Sequence, residues 1–309
     1  MSHETPNVEA VSGPVVGGCC GVPVADPATN GLRLSLVPDV AVPKADTLSS
    51  STAYLVPFES STIALYDGSA WVARTMSTPA QIATTGVANT SYDVYAYSSG
   101  TDVLLEMVAT PVTPTLELQD GVPVKSGDAT RRYVGVLATN ASGMFEDSQK
   151  NRLVWNRNNQ VPRAVSGVNL ADWYLTGNSA AWREVGANPT SRIRVAVGIL
   201  DGSGGLAGTY ASVRASGMCR VSSGTNGTAV STGIGVDSTT ASSAQRAEHT
   251  AVTTTAYGNT TAAYEGYLTP GLHTLHWLEI GQTGTTFYCI GSASSPPFGR
   301  LGMSGTLLM

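Results

Sequence analysis

From residue 32 onward the chain alternates apolar and polar positions with a period of two. LRLSL (32–36), TAYLV (52–56) and TIALY (62–66) each place every second side chain on one face, the signature of a half-buried strand. Asp67-Gly68 separates TIALY from WVART (71–75), and Asp120-Gly121 sits inside LELQDGVPV (116–124). Asp-Gly between alternating runs predicts a tight hairpin, because both central residues of a type I′ turn need positive φ. YDVYAY (92–97) and VLLEMV (103–108) predict another strand pair around Ser98-Ser99-Gly100. RYVGVLAT (132–139), MFEDS (144–148) and NRLVWN (151–156) continue the series, so residues 31–163 read as one antiparallel β-domain.

RNNQVPRAVSG (157–167) is polar, contains Pro162 and interrupts the alternation; it reads as a connector. Beyond it the strands lengthen. RIRVAVGIL (192–200), TYASVRASGMCRV (209–221), TAVSTGIGV (228–236) and HTAVTTTAY (249–257) come first. TAAYEGYLT (261–269), GLHTLHWLEIG (271–281), TTFYCIG (285–291) and LGMSGTLLM (301–309) come after them, with Gly281-Gln282-Thr283-Gly284 as a turn. Strands at this interval with Gly-rich turns predict a β-sandwich of jelly-roll type for residues 164–309. Residues 1–30 are punctuated by Pro and Gly and cannot form a core alone, so they read as an extended N-terminal arm suited to lie on a partner. The fold class expected is therefore all-β: two antiparallel β domains, the second a sandwich-like knob, preceded by an arm.

Composition reinforces this. Of 309 residues 42% are hydrophobic and only 13% charged, and 34 are Gly. Gly, Ser and Thr are poor helix formers, and helix-favouring Glu and Lys are scarce. The net charge of -5 argues against a nucleic-acid partner. No apolar run approaches the roughly 20 residues of a membrane helix, so no membrane insertion is expected. Residues 1–10 carry Glu4 and Glu9 and lack the basic-then-apolar pattern of a secretory leader, which predicts synthesis in the cytoplasm.

Candidate chemistry is thin. Cys19 and Cys20 are adjacent and lack zinc-knuckle spacing; Cys219 and Cys289 lie in apolar runs. Unpaired thiols are the expectation, with a Cys219–Cys289 bridge if their strands are neighbours. His273 and His276 sit three apart on a predicted strand, which puts them on opposite faces and makes a shared metal poor geometry. Glu146 and Asp147 are adjacent and point apart, whereas glycoside cleavage needs two carboxylates facing across a cleft. A pair from distant strands, such as Asp172 with Glu184, stays open. Gly202-Ser203-Gly204-Gly205-Leu206-Ala207 has dinucleotide-turn spacing, but the next segment, TYASVRAS (209–216), reads as strand rather than helix. GMSGT (302–306) lacks the final Gly of a nucleophile elbow. No catalytic residue, cofactor site or metal site is expected. Among aromatics most are read as core; Trp173 and Trp182, in the loop-rich ADWYLTGNSAAWREV (171–185), are the candidates for receptor contact.

TAYLVPFESSTIALYDGSAW, LQDGVPVKSGDATRRYVGVLATN and NRLVWNRNNQVPRAV resemble segments of β-rich fibre proteins in the virions of tailed bacteriophages. The resemblance covers about residues 31–163. It implies a non-enzymatic virion structural protein made in the host cytoplasm, a tail or baseplate fibre with a host-receptor-binding role. It further implies a homotrimer, anchored to another virion protein through residues 1–30 and meeting a host surface glycan or protein. A capsid head fibre or decoration protein is the alternative, and a glycan-cleaving depolymerase a second.

Overall fold

The computed structural model describes residues 24–110, 116–177, 181–187, 191–200, 208–293 and 301–309. The described residues form strands joined by turns, with one short 3-10 turn at Val185–Ala187 and no α-helix. The first half of the chain holds β1 (Leu32–Ser35), β2 (Thr47–Ser50), β3 (Thr52–Pro57), β4 (Thr62–Tyr66), β5 (Trp71–Thr75), β6 (Ala80–Ala83) and β7 (Ser91–Ser99). It continues with β8 (Asp102–Ala109), β9 (Leu116–Gln119), β10 (Val122–Lys125), β11 (Asp128–Ala138), β12 (Phe145–Asp147), β13 (Asn151–Arg152) and β14 (Val154–Asn156). The second half holds β15 (Pro162–Val168), β16 (Trp173–Thr176), β17 (Arg183–Glu184), β18 (Arg192–Val197), β19 (Thr209–Ser223) and β20 (Thr228–Val236). It ends with β21 (Arg246–Ala247), β22 (His249–Val252), β23 (Gly258–Leu268), β24 (Gly271–Gly281), β25 (Thr286–Cys289) and β26 (Gly302–Leu308).

The expected all-β class is what forms. Three sheets belong to the first half: β4-β5, β1-β3-β6, and β8-β7-β11-β10-β9 with β14 added on β11. Leu34, Leu55, Ile63, Val94, Val134 and Phe145 pack between them as one buried cluster. Two larger sheets form a sandwich. One, of seven strands, runs β15-β26-β19-β23-β21, with β25 pairing β19 and β16 pairing β25; the other, of eight, runs β2-β12-β13-β18-β24-β20-β22, with β17 pairing β24. Val213, Ala215 and Met303 of the first sheet face Ile234, Leu275 and Trp277 of the second across the core.

The two Asp-Gly hairpins differ. At β9–β10, Gln119 pairs with Val122, and Asp120 and Gly121 both have positive φ (51° and 79°), the expected two-residue turn. At β4–β5, Tyr66 pairs with Trp71, leaving a four-residue loop in which Gly68 alone has positive φ. The reason is local: the Asp67 carboxylate accepts hydrogen bonds from Ser69 N (2.8 Å), Ser69 Oγ (2.8 Å) and Ala70 N (2.9 Å), an alternative to the tight turn.

The expected connector is partly a strand. β15 pairs along its whole length with β26, and Pro162 is its first residue, where a missing N–H removes no ladder bond. The expected boundary after residue 163 falls inside this strand. β13 pairs parallel with β18, so one sheet draws strands from both sides. Tyr133, Val136 and Trp155 share a core with Ile193, Val197 and Leu307. Trp155 Nε1 donates to Thr209 Oγ1 at 2.6 Å.

Of the expected arm, residues 1–23 lie outside the described residues. Residues 24–30 run against the β4–β5 hairpin: Ala25 N donates to Trp71 O and Ala64 N to Thr29 O, each at 2.9 Å. The buried Arg132 guanidinium fixes this segment, donating to the carbonyls of Pro27 (2.8 Å), Thr29 (3.0 Å) and Ala64 (2.8 Å). Burial pulls its pKa down to about 9.

The expectation of unpaired thiols is corrected at one pair. Cys219 of β19 and Cys289 of β25 stand directly opposite in register and form a disulfide. Adjacent antiparallel strands bring the two Cβ atoms within bridging distance, which sequence spacing alone does not reveal. Cys19 and Cys20 lie outside the described residues.

Candidate functional site

The side chains that suggested chemistry in the sequence are held in separate structural groups. His273 and His276 lie on β24 as a strand predicts, with different partners. His273 Nδ1 meets Asp237 Oδ2 and His276 Nδ1 meets Glu184 Oε1, each at 2.6 Å. Glu184 also accepts from Arg192 Nε (2.5 Å) and Nη2 (2.6 Å), which holds its carboxyl below the ordinary value. Asp172 accepts from the Tyr288 hydroxyl and from Gly291 N (2.7 Å), so Asp172 and Glu184 belong to different clusters. Asp147 is buried between Arg152 (2.9 Å) and Arg163 (2.7 Å). Its neighbour Glu146 accepts from Ser148 Oγ (2.7 Å) and Asn151 Nδ2 (2.8 Å). Among the described residues no three His, Cys, Asp or Glu side chains converge on a metal-sized point. The glycine-rich 202–207 segment lies outside the described residues; β19, just beyond it, is a strand.

Trp173 and Trp182 occupy different environments. On β16, Trp173 and Leu175 point into the sandwich while Tyr174 and Thr176 point out. Trp173 is 8% exposed, meets Trp277 edge-on at 5.6 Å, and donates from Nε1 to Glu279 Oε2 at 2.6 Å. Glu279 also accepts from Arg183 Nε (3.1 Å) and Gly186 N (3.2 Å), yet burial still pushes its carboxyl upward. Trp173 therefore closes the core and supplies a donor to a buried acid, with little ring left for a ligand. Trp182 is half-buried, its ring lying over Gly233 of β20.

The outward face of the seven-stranded sheet is where exposed chemistry gathers. Directly opposed residues on neighbouring strands share a face. β19 presents Tyr210, Ser212, Arg214, Ser216 and Arg220 outward, and buries the residues between them. The register places Tyr267, Glu265, Ala263 and Thr261 of β23 beside Tyr210, Ser212, Arg214 and Ser216. On the other flank Thr306 and Ser304 of β26 stand beside Ser212 and Arg214. At one end Tyr210 (41% exposed) and Tyr267 (66%) meet edge-on with centroids 5.4 Å apart. At the other, Tyr174 (62% exposed) lies 5.3 Å from Tyr288, which lies 6.5 Å from Tyr257. The Arg220 guanidinium sits 5.4 Å over Tyr288 and 5.6 Å over Tyr257, and Nε donates to the Tyr257 hydroxyl at 3.2 Å. The hydrogen bond to Asp172 pushes the Tyr288 phenol up to about 12, so it stays a donor.

Between the aromatic ends lies an open groove of about 580 Å³, lined by Arg214, Ser216, Arg246, Glu248, Thr261 and Glu265 among others. Its floor is short side chains: alanine, serine and threonine. The arrangement can stack flat rings on tyrosine and hydrogen-bond hydroxyls. Sequence reasoning singled out none of these tyrosines. The alternation in TYASVRASGMCRV does put Tyr210, Arg214 and Arg220 on one face. What sequence alone lacks is the register that brings β23, β25 and β16 alongside.

A scan against protein-family models and a search of curated proteins both return no match for this chain.

Proposed function

We propose that this chain is a non-enzymatic structural protein of a tailed-phage virion, a tail or baseplate fibre that contacts a host surface receptor through the outward face of the seven-stranded sheet. The observation that carries this reading is the exposed tyrosine–arginine face itself. Five exposed or half-exposed rings, Tyr174, Tyr210, Tyr257, Tyr267 and Tyr288, form a recognition surface on one sheet face, since exposed aromatics and arginine dominate binding energy. The C-terminal sandwich would be the outward knob, and residues 1–30 the attachment to another virion protein. The backbone bonds of residues 24–30 to the β4–β5 hairpin and the Arg132 clamp support a firmly rooted arm. A disulfide persists best in oxidising surroundings, which suits a particle surface. Homotrimeric assembly has support in the five-stranded path of the first half. It ends in β8 and β9, whose outward Leu104 and Leu118 are exposed, and open edges are normally covered.

The capsid head fibre differs from this reading only in where the arm docks. Labelling intact particles with an antibody to residues 208–293 tests the proposal. Label at the tail or baseplate is the expected result; label on the capsid would replace it with the head-fibre reading, and unlabelled particles would refute a virion role. Sedimentation of the full chain should give a trimer.

A further inference from the structure

We infer that the groove on the outward face binds an acidic glycan, with one carboxylate or phosphate substituent held between Arg214 and Arg246 and flanking sugar rings stacked on Tyr210 and Tyr267. This rests on the receptor-binding reading and names its ligand class and subsite. Arg214 of β19 and Arg246 of β21 both pair with Ala263 of β23, so the two arginines stand in one cross-strand row on either side of a methyl group. With strands about 4.8 Å apart, their Cα atoms lie about 10 Å apart, close enough for two long side chains to converge over the alanine. Other arginines are engaged: Arg33, Arg131, Arg152, Arg163, Arg183 and Arg192 each bond a carboxylate or a carbonyl. Arg214 and Arg246 form no hydrogen bond or ion pair among the described residues, although both line the groove. A guanidinium pair with free donors is suited to an oxyanion, which it can grip bidentately.

The surrounding groups select a glycan. Glu248 and Glu265 occupy the rows on either side of the arginine row. They bracket the positive row with negative charge, which fits a polymer carrying isolated charges and rejects a dense polyanion such as nucleic acid. Hydroxyls of Ser216 and Thr261 line the groove, and Ser212 and Ser304 stand beside Glu265 and Arg214 on the same sheet face, where they can bond sugar hydroxyls. The Tyr210–Tyr267 pair lies four residues from the arginine row, about 14 Å at strand rise, within reach of a short oligosaccharide. A peptide added as a strand would instead need a sheet edge, whereas the groove offers a face.

The test is binding of the full chain to an array of uronate-, sialate- and phosphate-bearing oligosaccharides, each beside its neutral counterpart, with adsorption to host cells measured in parallel. At least one acidic oligosaccharide should bind about tenfold or more tightly than its neutral form, the scale of a charge-assisted hydrogen bond. The preferred substituent tells carboxylate from phosphate. Arg214→Ala and Arg246→Ala should each abolish that preference with unchanged circular dichroism, and Tyr267→Ala should weaken acidic and neutral forms alike. No acidic preference, or a preference surviving both arginine variants, overturns the inference. If cells still bind in that case, the receptor reading stands without it; if cells do not bind, both fall. Dissociation of an oligomer by the arginine variants would also overturn it, by making the face a contact between copies.

Discussion

Asp93 on β7 is a carboxylate kept from water, with Thr110 Oγ1 at 3.3 Å as a donor. Burial raises its pKa from 3.8 to about 6. A group whose folded pKa lies above its unfolded value binds more protons when folded, so its favourable contribution is complete below about pH 4 and is lost as pH rises through about 6. Asp93→Asn should therefore match the wild type near pH 4 and exceed it near pH 8 by up to about 3 kcal/mol in urea denaturation, the value of a two-unit shift. An identical gap at both pH values would show that the carboxylate is not desolvated. Trp173 makes the opposite case, a residue the core needs. Trp173→Ala removes a buried ring and strips Glu279 of its indole donor, and should cost about 3–5 kcal/mol by the same measurement.

At the scale of elements, β19 organises the second half: it pairs with β23, β26 and β25, and the disulfide ties it to β25. The bridge spans 70 residues of sequence, so Cys219→Ser or reduction should cost about 2–5 kcal/mol by restoring freedom to the unfolded chain. Equal stability with and without reductant would contradict this. Strands of this kind were legible in the sequence because period-two alternation is a local property; β7, β19 and β24 fall where TYASVRAS-like patterns put them. Pairing was not legible, because it depends on register between distant segments. That is why RNNQVPRAVSG reads as connector until β26 arrives to pair with β15, and why Cys219 and Cys289 read as separate thiols until β25 lies beside β19. Trp173 was misleading for a related reason. Its loop-rich neighbourhood suggests surface, but strand parity turns the indole inward and leaves Tyr174 outside.

For the whole molecule, the shared core decides how the halves behave. Gly198 has no room for a side chain, since a Cβ there would sit 2.3 Å from the Trp155 ring and 2.4 Å from the Tyr133 hydroxyl. Gly198→Ala should lower stability by about 1–3 kcal/mol and do so in both halves at once, because Trp155 and Tyr133 come from the first and Gly198 from the second. Calorimetry should show one transition that shifts as a unit; two transitions, of which one stays fixed, would show independent halves. The outward face stands apart from this core, so its side chains can be changed without unfolding the sheet beneath. The most direct test of the account is adsorption of the purified full chain to host cells, comparing the wild type with Tyr174→Ala/Tyr267→Ala at equal thermal stability. The wild type should bind saturably and the variant at least tenfold more weakly, the scale of losing two exposed aromatic contacts. Equal binding by the two proteins, or none by the wild type, would contradict it.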